Sequence, residues 1–111
     1  MEEIQFKVQG SAEEPYGVIF VRRGPGNLSA YCSCPAGENG QYCKHRFNIL
    51  AGSTDGIVSG NESEVGMVAS WLTGTDVESA MKRVRALEEE EAKIKKAISA
   101  AKKDLAKSMR D

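Results

Sequence analysis

All three cysteines and the only histidine of this chain fall within fourteen residues, as Cys32-Ser33-Cys34 and then Cys43-Lys44-His45. The spacing is C-x-C-x8-C-x-H, and no soft ligand is left over elsewhere. Three thiolates and one imidazole make a complete tetrahedral set for Zn2+, a borderline-soft ion whose filled d shell imposes no geometry of its own. Cys32 and Cys34 sit two apart at a strand end, so a bend is needed there to aim both sulfurs at one point. Pro35, Gly37, Asn39 and Gly40 give the connecting loop the freedom to return. Cys43 and His45 then close the set from the first turn of a short helix. A metal in this position ties a hairpin to a helix. The chain needs such a tie, because its 111 residues include only seven aromatics, counting Trp71, and any core is built from small side chains.

Other uses of the thiols fit less well. A bridge between neighbouring C-x-C thiols is strained, and a bridge to Cys43 leaves one cysteine odd. A redox pair is expected as C-x-x-C at a helix start. Redox chemistry and buried inert thiols therefore stand as the alternatives to one structural zinc. The opening Met-Glu-Glu-Ile is acidic and lacks the basic and apolar regions of a signal peptide. No apolar run approaches the roughly 20 residues of a membrane helix. The expectation is a chain that is not secreted, cytoplasmic or, in a eukaryote, nuclear, where thiols stay reduced. No membrane partner and no small-molecule substrate are expected.

The pattern changes at about residue 52. Before it, Ile4, Phe6 and Val8 alternate with Gln5, Lys7 and Gln9, which predicts a half-buried strand. Tyr16–Val21 is an apolar, β-branched run, Gly24-Pro25-Gly26-Asn27 supplies turn chemistry, and Leu28, Ala30 and Cys32 alternate on a return strand. A short helix is predicted from about Cys43 to Ala51, stopped by Gly52. Asn61-Glu62-Ser63-Glu64 reads as a capped start for a helix through Trp71, and Gly74 ends it. Thr75-Asp76-Val77-Glu78 is a second capping box, followed by a stretch without Pro or Gly to about Ser108. The fold class is α+β: a small antiparallel hairpin or sheet and a short helix around one zinc, then a helix, then a long coiled-coil-like helix. Three segments follow: a zinc module over 1–52, a connector with a short helix over 53–74, and a long helix over 75–111.

The long helix carries its own signal. With Val77 at heptad position a, the a positions are Val77, Val84, Glu91, Ile98 and Leu105, and the d positions are Ala80, Leu87, Ile94, Ala101 and Ser108. Eight of these ten are apolar, a coiled-coil pattern that makes Val77, Val84, Leu87, Ile94, Ile98 and Leu105 a dimer seam. Arg83 with Glu88 and Glu90 with Lys95 suit a parallel homodimer, and an antiparallel pair stays open. A single helix packed on its own domain, or on a different partner's helix, is the competing reading. Residues 93–111 hold seven Lys/Arg against Asp104 and Asp111. That basic end reads either as a solvated face that suits the helix dipole or as a phosphate- or acid-binding tail.

The motif Cys32-Ser33-Cys34-Pro35 and the pair Cys43-Lys44-His45, behind a strand and a hairpin and leading into Leu50, resemble the SWIM-type zinc finger, CxCxnCxH, over roughly residues 4–52. The resemblance puts Cys32, Cys34, Cys43 and His45 in the ligand roles and implies either DNA binding or protein–protein interaction. The chain departs from the family just after the histidine, where Arg46 and Asn48 replace an aliphatic and a small residue. Lys44 and Arg46 thus become two cations flanking a ligand. For nucleic acid speak Arg22, Arg23, Lys44 and Arg46, with Tyr16, Tyr31 and Tyr42 available either for stacking or for ordinary packing. Against it, residues 1–60 hold five Lys/Arg and six Asp/Glu, so this half has no basic excess for phosphates. Catalysis is not expected: four protein ligands leave zinc no open position, and no second histidine can act as base. The reading is a zinc-stabilised, non-catalytic interaction module that dimerises and binds a protein, with a DNA- or RNA-binding finger as the alternative.

Overall fold

The computed structural model describes residues 1–110, so Asp111, counted above at the basic helix end, lies outside the described residues. Three strands, β1 (Glu2–Val8), β2 (Tyr16–Gly24) and β3 (Asn27–Cys32), form one antiparallel sheet in the order β1-β2-β3. The predicted alternation sets the register: Phe6 pairs with Val18, and Phe20 pairs with both Ile4 and Ala30. The β2–β3 turn uses Pro25, whose ring fixes φ, and then Gly26 at φ 73°, a conformation that costs glycine nothing.

Four helices follow: α1 (Pro35–Glu38), α2 (Lys44–Leu50), α3 (Val65–Trp71) and α4 (Asp76–Ser108). α2 packs on β3 and α3. The core holds Phe6, Val18 and Phe20 from the sheet, Ile49 and Leu50 from α2, and Val65, Val68 and Trp71 from α3, all buried. Phe6 and Phe20 meet edge to face, with centroids 5.9 Å apart. Residues 53–74, expected as a connector, therefore share this core rather than merely spanning it. Ile57 forms an isolated bridge to Val8. Gln9 N–H bonds Gly56 O at 2.8 Å, and Val58 N–H bonds Lys7 O at 2.8 Å. These bonds cover the free edge of β1, which would otherwise offer unpaired backbone groups.

That edge also changes the start of α3. Asn61 does not cap it through its side chain. Its amide donates instead to Gln5 O at 2.8 Å and to Glu64 Oε1 at 3.1 Å. The helix accordingly begins as a 3-10 turn over Glu62–Glu64. The second capping box forms: Glu78 N–H bonds Thr75 Oγ1 at 3.2 Å, and Glu78 Oε1 accepts from Gly74 N–H at 3.1 Å. Glu78 is thereby spent on the cap, and further along α4 Glu91 closes an i,i+4 ion pair with Lys95, at 3.1 Å.

Backbone contacts divide the chain into two units, Met1–Glu78 and a second beginning at Ser79. The second is α4 without its first turn, and α4 has no buried residue. No helix among the described residues is long and apolar enough to cross a membrane.

Candidate metal centre

Each ligand is placed by a different piece of local structure. Cys32 is the last residue of β3 and pairs with Val18, which fixes its sulfur on the buried face. The chain then bends. Ser33 N–H bonds Gly17 O at 3.0 Å, while Gly17 N–H bonds Ser33 Oγ at 2.9 Å. Cys34 is the N-cap of α1, with Pro35 at the first helical position, where a missing N–H costs nothing. Its sulfur accepts the Gly37 N–H at 3.3 Å. The loop expected between Cys34 and Cys43 thus opens with one helical turn that holds a ligand. Cys43 is the extended N-cap of α2, and His45 lies in that helix's first turn.

These four side chains converge. Their ligand atoms all lie within 4.8 Å of one another. Cys34 Sγ is 3.3 Å from Cys43 Sγ, and His45 Nδ1 is 3.5 Å from Cys43 Sγ and 3.7 Å from Cys32 Sγ. Zinc–ligand bonds of about 2.0–2.3 Å at tetrahedral angles put neighbouring donors about 3.5–3.8 Å apart, so the cluster has the dimensions of one such site. All three sulfurs belong to buried residues and no disulfide joins them. The Cys3His cluster fits one structural Zn2+, which supplies a cross-link between β3, α1 and α2.

The protein also biases the thiols. Burial pushes the Cys32 thiol up to about 12, and the neighbouring Cys34 and Cys43 sulfurs add to the rise. At Cys43 burial pulls the same way but is outweighed. Hydrogen bonds from the Arg46 backbone, the other two thiols and His45 lower it to about 6. The hydrogen bonds thus favour the thiolate at Cys43, the form that binds a cation, whereas burial favours the protonated thiol at Cys32.

Two glycines and one arginine support the cluster. A Cβ on Gly37 would stand 2.5 Å from Cys32 O and 2.8 Å from Cys32 Cβ. The obstacle includes backbone, so Gly37→Ala must push α1 off β3 and carry Cys34 with it. Zinc affinity in a competition titration with a chromophoric chelator is expected to fall by about fivefold to a hundredfold, from overpacking of about 1–3 kcal/mol. An unchanged affinity would contradict the close approach. On the far side of the histidine, a Cβ on Gly10 would stand 2.5 Å from the Tyr16 ring and 3.3 Å from His45 Nε2. The Tyr16 and His45 rings are 5.2 Å apart, centroid to centroid, and the tyrosine holds the imidazole plane. Neither glycine is singled out by its neighbours in sequence, because the crowding comes from segments brought in by folding.

Arg46 has a structural task. Its Nη1 donates to Ala30 O at 3.3 Å and its Nη2 to Gln41 O at 2.8 Å. Those carbonyls lie two residues before Cys32 and two before Cys43. One guanidinium on α2 thus links the strand that carries Cys32 to the loop that leads into Cys43, which explains how an arginine follows the histidine. The other expected contact residues do not gather with it. Arg22 pairs with Glu2 at 3.6 Å and Arg23 Nη1 donates to Ser29 Oγ at 3.0 Å, both on the sheet. Lys44 is exposed beside the metal cluster. It lines a shallow cavity of about 460 Å³ together with Ser11, Tyr16, Pro35, Ala36 and Tyr42 and three of the four ligand residues, Cys34, Cys43 and His45. Tyr42 stacks on Phe47 at 4.9 Å and stays 63% exposed.

Comparison with known proteins agrees with this geometry. Residues 6–46 match the family model of the SWIM zinc finger. No curated protein and no solved structure gave a match.

Proposed function

We propose, on the premise that residues 6–46 are a SWIM zinc finger, that this protein is a non-catalytic interaction module that pairs with itself through α4 and binds a protein partner. The observation that carries the reading is the unpartnered stripe on α4. Val84, Leu87, Ile94, Ile98 and Leu105 are 39–59% exposed although they fall at heptad seam positions. Burying such a stripe against another helix removes apolar surface from water at roughly 25 cal/mol per Å². The non-catalytic part rests on the ligand set, since a catalytic zinc keeps one position for water.

A protein partner is favoured by the cavity beside the cluster, whose rim has apolar walls and a single cation, Lys44. Arg22, Arg23 and Arg46 spend their guanidinium groups on intramolecular bonds. Nucleic acid is the second reading, favoured by the exposed Tyr42 beside Lys44 and by the basic end of α4. Light scattering on the zinc-loaded chain tests self-association, with twice the monomer mass of 12.0 kDa expected. A monomer at micromolar concentration would remove that part. Gel shifts with single- and double-stranded DNA across a salt series separate the two partner classes. Salt-sensitive retardation would favour the nucleic-acid reading.

A further inference from the structure

We infer that the occupant of the α4 stripe is a second copy of this chain running antiparallel. The inference rests on the self-association proposed above and adds the orientation. Three features of the helix carry it.

The first is charge. Over 76–91, α4 has six acidic and three basic side chains; over 92–108 it has six basic and one acidic. Antiparallel pairing lays the acidic half of each helix along the basic half of the other. Parallel pairing lays like along like.

The second is volume. In the register that overlaps all five heptads, antiparallel pairing faces each a position with a d position. Ala80 then meets Leu105 of the second copy, and Val84 meets Ala101, so a small side chain stands opposite a larger one. Parallel pairing sets Ala80 against Ala80 and Ala101 against Ala101, and leaves two thin layers in the seam.

The third is Glu91, the charged residue at the seam. Parallel pairing forces two Glu91 carboxylates together in an apolar layer, a repulsive and desolvated arrangement. Antiparallel pairing sets Glu91 opposite Ile94 of the second copy. Its carboxylate already leans to Lys95 on the flank, at 3.1 Å, so the stem fills the seam while the charge stays at the edge. The flanking positions allow either direction in the wild type, because Glu88 faces Lys95 of the second copy in the antiparallel pair and Arg83 in the parallel one.

Sedimentation equilibrium on the full zinc-loaded chain reports the assembly, and a short amine-reactive cross-linker with peptide mass spectrometry reports its direction. Links from Lys82 to Lys102 or Lys103 are expected. Within one helix these amines are about 30 Å apart at 1.5 Å per residue, beyond a short linker. A dimer that yields Lys82–Lys82 and Lys102–Lys102 links instead overturns the antiparallel inference and leaves self-association standing. A monomer overturns both. Charge exchange gives an independent readout. Glu88→Lys alone is expected to weaken the dimer by about tenfold, and adding Lys95→Glu restores it. A double variant weaker than either single one overturns the orientation, since parallel pairing sets Glu88 by Arg83 and Lys95 by Glu90.

Discussion

Stripping zinc from the folded chain is expected to unfold β1–β3 and α2 together. The four ligands sit on β3, the cap of α1 and the start of α2, and besides the metal these segments are joined there by the Arg46 hydrogen bonds and by the close approach of α1 to β3. Structural zinc sites in small fingers have apparent binding free energies on the order of 10 kcal/mol, comparable with the roughly 5–15 kcal/mol that holds a whole small domain. A chelator in excess, or Cys43→Ser, should collapse the dispersed amide NMR signals of residues 6–46, and zinc should restore them only in the chelated protein. Retained dispersion after verified metal loss would show that the apolar core suffices alone.

Acid should act in the same direction. The folded pKa of Cys43 is lowered to about 6. The stabilisation tied to its thiolate is thus present above the ordinary thiol range and is lost as pH falls through about 6. Cys32 is raised to about 12, so burial favours its protonated form until pH rises through that value. In the metal-free state this opposes zinc binding at neutral pH, and the proton is released when zinc loads. Zinc affinity should therefore rise with pH between 6 and 8, with proton release measurable by calorimetry in buffers of different ionisation enthalpy. A pH-independent affinity would rule out thiolate ligation.

Phe20→Ala should cost about 3–5 kcal/mol, in the range of phenylalanine truncations in well-packed cores. Phe20 is fully buried, packs edge to face on Phe6 and is paired with Ala30, two residues before Cys32. For a unit of this size the loss corresponds to a drop in melting temperature of about 10 °C or more. Melts at fixed free zinc, followed by circular dichroism, measure it. A drop of only a few degrees would mean that the metal, and not the sheet, fixes the position of β3.

Much of this could be read along the chain. The period-two runs at Ile4–Val8 and Leu28–Cys32 mark β1 and β3, because a half-buried sheet has no other way to sort its side chains. The Thr75–Glu78 box and the Pro- and Gly-free stretch behind it bound α4 to within a residue or two, since those signals act locally. The ligand set was legible because its chemistry is rare: one window held every thiol and the imidazole. Asn61 shows where local reading stops. Its sequence context is that of a helix cap, yet an unpaired carbonyl on the edge of β1, 56 residues away, claimed its amide.

The sequence by itself determined the ligands, the strands, the long helix and its apolar stripe, all of which follow from residue chemistry and period. The tertiary structure decided that residues 53–74 join the core through Ile57, Val65, Val68 and Trp71. It also decided that Gly37 and Gly10 must be small, and that Arg46 holds the ligand segments together rather than facing outward. Each of these depends on distances between segments far apart in the chain, and such distances exist only once hydrophobic burial and the metal have drawn those segments together.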